Sequence, residues 1–128
     1  MILEWLPGAY SICKLADVNQ ADLSRPFTFL ARTDEEISLV CPSLSVPSCV
    51  IREEGGYAGL RIRGPLDFSL VGILSGIAAC LAREEIPIFA LSTYDTDYLL
   101  LPLSMAEKAY QALLNAGYQL LPPSFSGV

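Results

Sequence analysis

Two apolar runs, Ile86-Pro87-Ile88-Phe89-Ala90-Leu91 and Leu99-Leu100-Leu101, enclose the polar segment Ser92-Thr93-Tyr94-Asp95-Thr96-Asp97-Tyr98. This pattern restricts the fold more than any other stretch. Apolar runs this short, bounded by turn residues, read as buried strands rather than helices. A polar turn between two such strands gathers donors and acceptors at one edge of a rigid sheet, which is how a fold presents a small polar ligand with fixed geometry. Any hairpin closes in a similar way, so the flanking elements have to decide between a plain turn and a site.

Those elements fall into a definite order. Gly59-Leu60-Arg61-Ile62-Arg63-Gly64 alternates and predicts a strand, with Leu60 and Ile62 on one face and the two arginines on the other, solvated face. Pro65 to Ser69 is a loop. Leu70, Leu74, Ile77 and Leu81 then recur at helical spacing, so the spacing predicts a helix from about Leu70 to Glu84, with Asp67 or Ser69 near its N-terminus. Gly72 and Gly76 each cost that helix about 1 kcal/mol against alanine, which points to something packed close to the backbone there. Ile86 to Tyr94 predicts a strand buried on both faces. Asp95-Thr96 is the turn, and Asp97 to Leu101 returns to Pro102. Ser104 and Glu107 have capping-box spacing, and a helix from Met105 to Ala116 would bury Ala109, Leu113 and Ala116 and stop at Gly117. Tyr118 to Leu121 is a last strand. Strand, helix, strand, strand, helix, strand is the order of an α+β ferredoxin-like unit, with helices on one face of an antiparallel sheet and its first and third strands side by side.

The first half echoes the second. Ala9 to Leu15, Phe27 to Arg32 and Ile37 to Cys41 read as strands, with Thr33-Asp34-Glu35 as a turn. No full amphipathic helix fits residues 16–26. Ser43 to Val50 allows a turn of helix, and Glu53 to Tyr57 reads as a link. The expected organisation is a degenerate unit with a reduced first helix at 1–57 and a complete unit at 58–128, packed as one compact body. Trp5 is expected to anchor the N-terminal segment.

Composition removes several classes of function. The 128 residues are 52% hydrophobic and carry a formal net charge of −6 with scattered Lys and Arg, so no basic face is available to neutralise phosphates and nucleic acid is not an expected partner. No apolar stretch is long enough to span a bilayer, and Glu4 in the first residues does not suit a signal peptide; the expected address is the cytoplasm. The chain has no histidine, which removes the commonest general base and the commonest transition-metal ligand. Cys13, Cys41, Cys49 and Cys80 lack CxxC spacing and sit in apolar stretches; buried thiols are expected, with a zinc site from such separated residues the weaker alternative. No cofactor is expected.

The residues from Asp67 to Leu74, followed by those from Ile88 to Pro102, resemble the signature of small prokaryotic ACT-domain proteins and are similar to the ACT domains of the CASTOR-type cytosolic arginine sensors. The resemblance is strongest over residues 59–121. It implies tandem ACT units and an amino acid held at an interface between such units. Carried onto this sequence, it makes Thr93, Tyr94, Thr96 and Asp97 candidate ligand contacts. The loop entering the first helix adds Asp67, Phe68, Ser69, Val71 and Gly72. The chemistry fits a free amino acid: its carboxylate suits the N–H groups at a helix N-terminus near Val71 and Gly72, and its ammonium suits Asp97 or Asp67. Tyr94 and Phe68 would pack its stem. Asp95 serves equally as a turn former, and Asp67 and Ser69 serve equally as caps.

The implied function is a non-catalytic, amino-acid-responsive regulatory protein, dimeric, with a regulated protein as a further expected partner. The alternative is a ligand-free interaction module that keeps the fold. An enzyme working with carboxylates alone would rest on Asp95 and Asp97, two apart in a strand and able to couple or to hold a metal.

Overall fold

The computed structural model describes residues 2–63 and 72–122. Eight strands and two helices follow one another as β1 (Ile2–Trp5), β2 (Tyr10–Leu15), β3 (Phe29–Arg32), β4 (Ile37–Pro42), β5 (Arg52–Ile62), α1 (Ile73–Arg83), β6 (Phe89–Ser92), β7 (Asp97–Pro102), α2 (Ala106–Asn115) and β8 (Gln119–Leu121). The chain divides into two compact units, one of Gly8–Tyr57 and one of Met1–Pro7 with Ala58–Val128. The long strand β5 passes from the first into the second.

In the second unit, β5 (its part from Ala58), α1, β6, β7, α2 and β8 give the expected ferredoxin-like order. As expected, β5 and β7, the first and third strands, are neighbours, and β6 lies outside β7. The sheet also holds a strand that the sequence reading missed. β1 lies between β5 and β8, antiparallel to the first (Leu3↔Ile62, Trp5↔Leu60) and parallel to the second (Ile2↔Gln119, Glu4↔Leu121), so the sheet is mixed. Trp5 does more than anchor a tail; it is a core residue of a central strand, 5% exposed.

One face of this sheet carries both helices. Leu3, Trp5, Leu60, Ile62, Leu99, Leu101 and Leu120 meet Ile77, Cys80 and Leu81 of α1 and Ala106, Ala109 and Leu113 of α2 in a single cluster. Strand residues two apart share a face and helix residues three or four apart share a stripe, so both periodicities converge on the same core. Each fully buried leucine contributes about 1.5–3 kcal/mol through the area it removes from water. α1 approaches closely at Gly76, where an added Cβ would lie 3.3 Å from Tyr118 Oη, and this accounts for a glycine in that helix.

Several details depart from expectation. Residues 64–71 lie outside the described residues, including Leu70 and the expected first turn of the helix; α1 is described from Ile73, with Gly72 as its cap at φ +82°. β6 is shorter than Ile86–Tyr94 and is not buried on both faces. It pairs only with β7 among the described residues, and Phe89, Ala90 and Ser92 are exposed, because a strand at a sheet margin has no neighbour on one side. The Ser104–Glu107 capping box does not form. The chain turns through a 3-10 turn at Leu103–Met105 directly into α2, whose cap, Met105, makes no side-chain bond. Ala116 is exposed rather than buried, because the helix has already ended. Gly117 has φ +97°, as a residue just past a helix end requires, and donates its N–H to the Leu114 carbonyl at 3.0 Å.

The first unit has the strand order β3-β4-β2-β5, with Leu30↔Leu39, Cys13↔Leu39 and Cys13↔Glu53 in register. Residues Glu53 to Tyr57, expected as a link, belong to β5; Glu53, Glu54 and Tyr57 pair with β2, with a register shift at Gly55-Gly56. The place of each helix is taken by a 3-10 turn, Val18–Gln20 after β2 and Ser43–Ser45 after β4. Asp17 accepts from Asn19 N at 2.8 Å and Gln20 Oε1 accepts from Asp17 N at 3.1 Å, which closes the first of these turns on itself instead of propagating a helix. A small core of Cys13, Leu15, Leu39 and Cys41 is covered by Ala21, Leu30, Ile37, Val46 and Val50. Cys13, Cys41 and Cys80 are buried thiols as expected. Cys49 is exposed, since residues 46–51 form no strand or helix that would turn it inward.

The hairpins of the two units correspond residue for residue. Phe29, Thr33 and Pro42 stand to β3 and β4 as Phe89, Thr93 and Pro102 stand to β6 and β7, a constant offset of 60 positions.

Candidate functional site

The polar segment forms the hairpin between β6 and β7, paired as Phe89↔Leu100, Leu91↔Tyr98 and Ser92↔Asp97. Thr93 closes it. Its backbone N–H donates to the Thr96 carbonyl at 2.8 Å, and its hydroxyl donates to the same oxygen at 3.1 Å. Thr93 is therefore a turn-building residue with both donors used. Thr96 is buried, 7% exposed, and its hydroxyl donates to the Ile62 carbonyl at 2.6 Å. This bond rivets the hairpin to the end of β5, from which the chain departs toward α1. A hydroxyl committed in this way is a support, so Thr96 acts on the site by holding it in place.

Asp97 begins β7. Strand alternation puts it on the face of Leu99 and Leu101, the face that α1 and α2 cover. The Ser92 hydroxyl donates to Asp97 Oδ1 across the strand pair. The carboxylate is thus pre-oriented at the sheet edge, with further lone pairs available to accept hydrogen bonds. Tyr94 is 82% exposed at the hairpin tip, and Asp95 is exposed beside it.

Of the residues expected in the loop entering the first helix, Asp67, Phe68, Ser69 and Val71 lie outside the described residues. Gly72 is described. Its left-handed backbone suits glycine, its carbonyl accepts the first helical bond from Gly76 N at 2.9 Å, and it accepts the Ser75 hydroxyl at 3.2 Å. The structure brings together Ser92, Thr93, Thr96 and Asp97 with the end of β5. Ser92 was missing from the expected contacts. Its signal lay in the register: four turn residues between two strands make Ser92 and Asp97 direct cross-strand neighbours.

The opposite face of these strands is charged. Glu4 Oε1 accepts from Arg61 Nε at 3.1 Å and from Arg61 Nη2 at 2.7 Å, with Arg63 Nε 3.9 Å away. The Arg61 guanidinium lies 6.0 Å from the centre of the Tyr98 ring. The hydrogen bond that Arg61 donates to Glu4, then its bond with Tyr98, raises the Arg61 pKa. Arg61 is thus engaged, where the sequence suggested a simply solvated face.

An α+β unit of this order, with a polar hairpin fixed beside the strand that leads into its first helix, belongs to the class of ferredoxin-like domains. The family model for the ACT domain matches residues 52–115. The chain is similar to the crystal structure of protein Atu0741 from Agobacterium tumefaciens, with 35% identity and a TM-score of 0.83, over 94% of this chain and 91% of that one. This chain belongs to the ACT-domain family. A Vibrio cholerae protein of unknown function shares the fold at 20% identity, with a TM-score of 0.68 over 87% of this chain and 85% of that one. The aspartate kinase of Synechocystis shares it at 17% identity, with a TM-score of 0.66 over 97% of this chain and 28% of that one. No curated protein matches the chain.

Proposed function

We propose that this protein is a non-catalytic, amino-acid-binding regulatory protein whose ligand sits at the Ser92–Asp97 edge, at an interface between ACT units of two copies. The observation that carries this reading is the pair of bonds around the hairpin. Thr96 fixes the hairpin to β5, and Ser92 holds the Asp97 carboxylate ready for a ligand ammonium group. Tyr94 and Asp95 stand exposed beside it for side-chain selection, and by the ACT-domain resemblance Asp67, Phe68, Ser69, Val71 and Gly72 would add further ligand contacts. Membership of the ACT-domain family supports an amino acid as the ligand class, and the proposal takes Ser92–Tyr98 to act as the segment it resembles in the CASTOR-type sensors. The chain has no histidine to serve as a general base beside Ser92 and Asp97, which supports a sensor over an enzyme.

A thermal-shift screen of the twenty amino acids at millimolar concentration tests the proposal. Binding to the folded state alone stabilises by about 2.7 kcal/mol when ligand is near 100 times its Kd. Asp97→Ala is expected to abolish the shift and leave the circular dichroism spectrum unchanged. If no amino acid raises the Tm of the wild-type protein, the ligand-free interaction module becomes the better reading.

A further inference from the structure

We infer that the groove between α1 and α2 is a separate binding site for a small dicarboxylate that also carries a hydroxyl or ammonium group. The groove has a volume of about 480 Å³, within the range of about 300–1,000 Å³ usual for small-molecule sites. Cys80, Arg83 and Glu84 line it from α1 and the residue after it. Lys108 and Asn115 line it from α2.

Helical spacing explains why these side chains share one groove. Lys108 and Asn115 are two turns apart on one stripe, about 10 Å along the axis at 1.5 Å per residue. Cys80 and Arg83 form the matching stripe on α1. The floor is closed by a direct tie between the helices, in which the Cys80 thiol, 4% exposed, donates to the Ala112 carbonyl at 3.5 Å.

The charges are what make this groove a site. Arg25 lies 3.8 Å from Asp22, and Arg61 and Arg63 share Glu4. Arg83 and Lys108 have no ion pair among the described residues, although Glu84 lines the same groove. Two cations from two different helices thus face one cavity against a single carboxylate, Glu84, in a chain of net charge −6. One carboxylate of a ligand would pair with each. Glu84 would repel a plain dianion unless the ligand also offered a donor, and this selects a hydroxy or amino dicarboxylate. Asn115 adds an amide that can serve either end.

Titration calorimetry and amide NMR on the full chain decide the matter with three probes, L-malate, succinate and inorganic phosphate. L-Malate is expected to saturate below about 10 mM, a weak but specific affinity, and to shift amides of residues 80–84 and 108–116. Succinate, which lacks the hydroxyl, should bind more weakly. Arg83→Gln and Lys108→Gln should each weaken malate binding by about tenfold or more, as expected when a hydrogen bond between charged groups is lost. Arg25→Gln and Asp97→Ala should leave it unchanged, the second variant separating this site from the hairpin edge. The inference is overturned if malate does not saturate in the wild-type protein, if the double variant Arg83→Gln/Lys108→Gln binds malate like the wild type, or if phosphate competes at equal affinity.

Discussion

The hairpin of the first unit and the hairpin of the second have one design and different surroundings. Thr33 N donates to the Glu36 carbonyl at 2.9 Å, as Thr93 N donates to that of Thr96 at 2.8 Å, and Pro42 and Pro102 each lead into a 3-10 turn. After that the units part. In the second the chain continues into α2, whereas in the first it passes through residues 46–51 straight to β5. Turn chemistry and cross-strand pairing are evidently enough to keep a hairpin when its helices are reduced to single turns. The polar chemistry was not kept. Where the second hairpin has Ser92 opposite Asp97, the first has Arg32 opposite Ile37, and the riveting Thr96 is replaced by the exposed Glu36. Scaffold and site have therefore diverged separately.

Equivalent substitutions can break this comparison. Leu99 and Leu39 are the same residue at the same hairpin position, each 1% exposed. Truncating buried leucine to alanine costs about 2–5 kcal/mol, depending on how well the site collapses. Leu99→Ala, under two helices, is expected near the top of that range, and Leu39→Ala, under a thin cover, near the bottom. Equal losses in urea unfolding would show that the helices add nothing to the core. A smaller contrast is expected at the turns. Thr96→Val leaves the buried Ile62 carbonyl without its partner and should cost about 1–3 kcal/mol, whereas Glu36→Ala on the surface should stay within about 0.5 kcal/mol. Similar costs at both positions would remove the rivet from the account.

Thiol ionisation separates the units by pH. In the first unit burial pushes the Cys41 thiol from 9.0 up to about 11, and burial raises Cys13 as well. A thiol whose folded pKa lies above its unfolded value binds a proton in the folded state that the unfolded state has lost. Stability is then complete below pH 9 and falls as the pH rises from about 9 to about 11. Cys13→Ala/Cys41→Ala should flatten that fall in a series of denaturant melts. An unchanged slope would mean that the thiols ionise without unfolding anything. The smallest effect belongs to Glu85, which closes α1 at φ +58°. Glu85→Gly should stabilise by about 1 kcal/mol or less, since glycine enters the left-handed region without penalty. A loss of stability there would show that the Glu85 side chain contributes a contact.

Much of this was legible in the residues. Leu60 and Ile62 against Arg61 and Arg63 gave the strand and its faces, Gly117 marked the end of α2, and the Ser92–Tyr98 polarity marked the hairpin. The missing parts depend on long-range pairing. Ile2-Leu3-Glu4-Trp5 is too short to announce a strand, and only its position between β5 and β8 makes it one. Glu53, Glu54, Gly55 and Gly56 read as a link because they carry no apolar alternation; Glu53 and Glu54 are held in the strand by pairing with β2, and the register shifts at Gly55-Gly56, where Gly56 takes φ +80°. At the site, the role of Thr96 was hidden because its acceptor is a backbone carbonyl 34 positions away. The groove of Arg83 and Lys108 was hidden because two stripes that look like ordinary solvated helix faces meet only after folding.

The position of β1 also bears on how the protein is made. During synthesis β1 leaves the ribosome well before its parallel neighbour β8, with which it pairs as Ile2↔Gln119. Contacts so distant in sequence form slowly. The sheet of the second unit therefore stays open along one side of β1 until nearly the whole described chain has emerged. A fragment starting at residue 58 would lack a central strand, so the half that carries the ACT signature is not a part that can be excised and moved on its own.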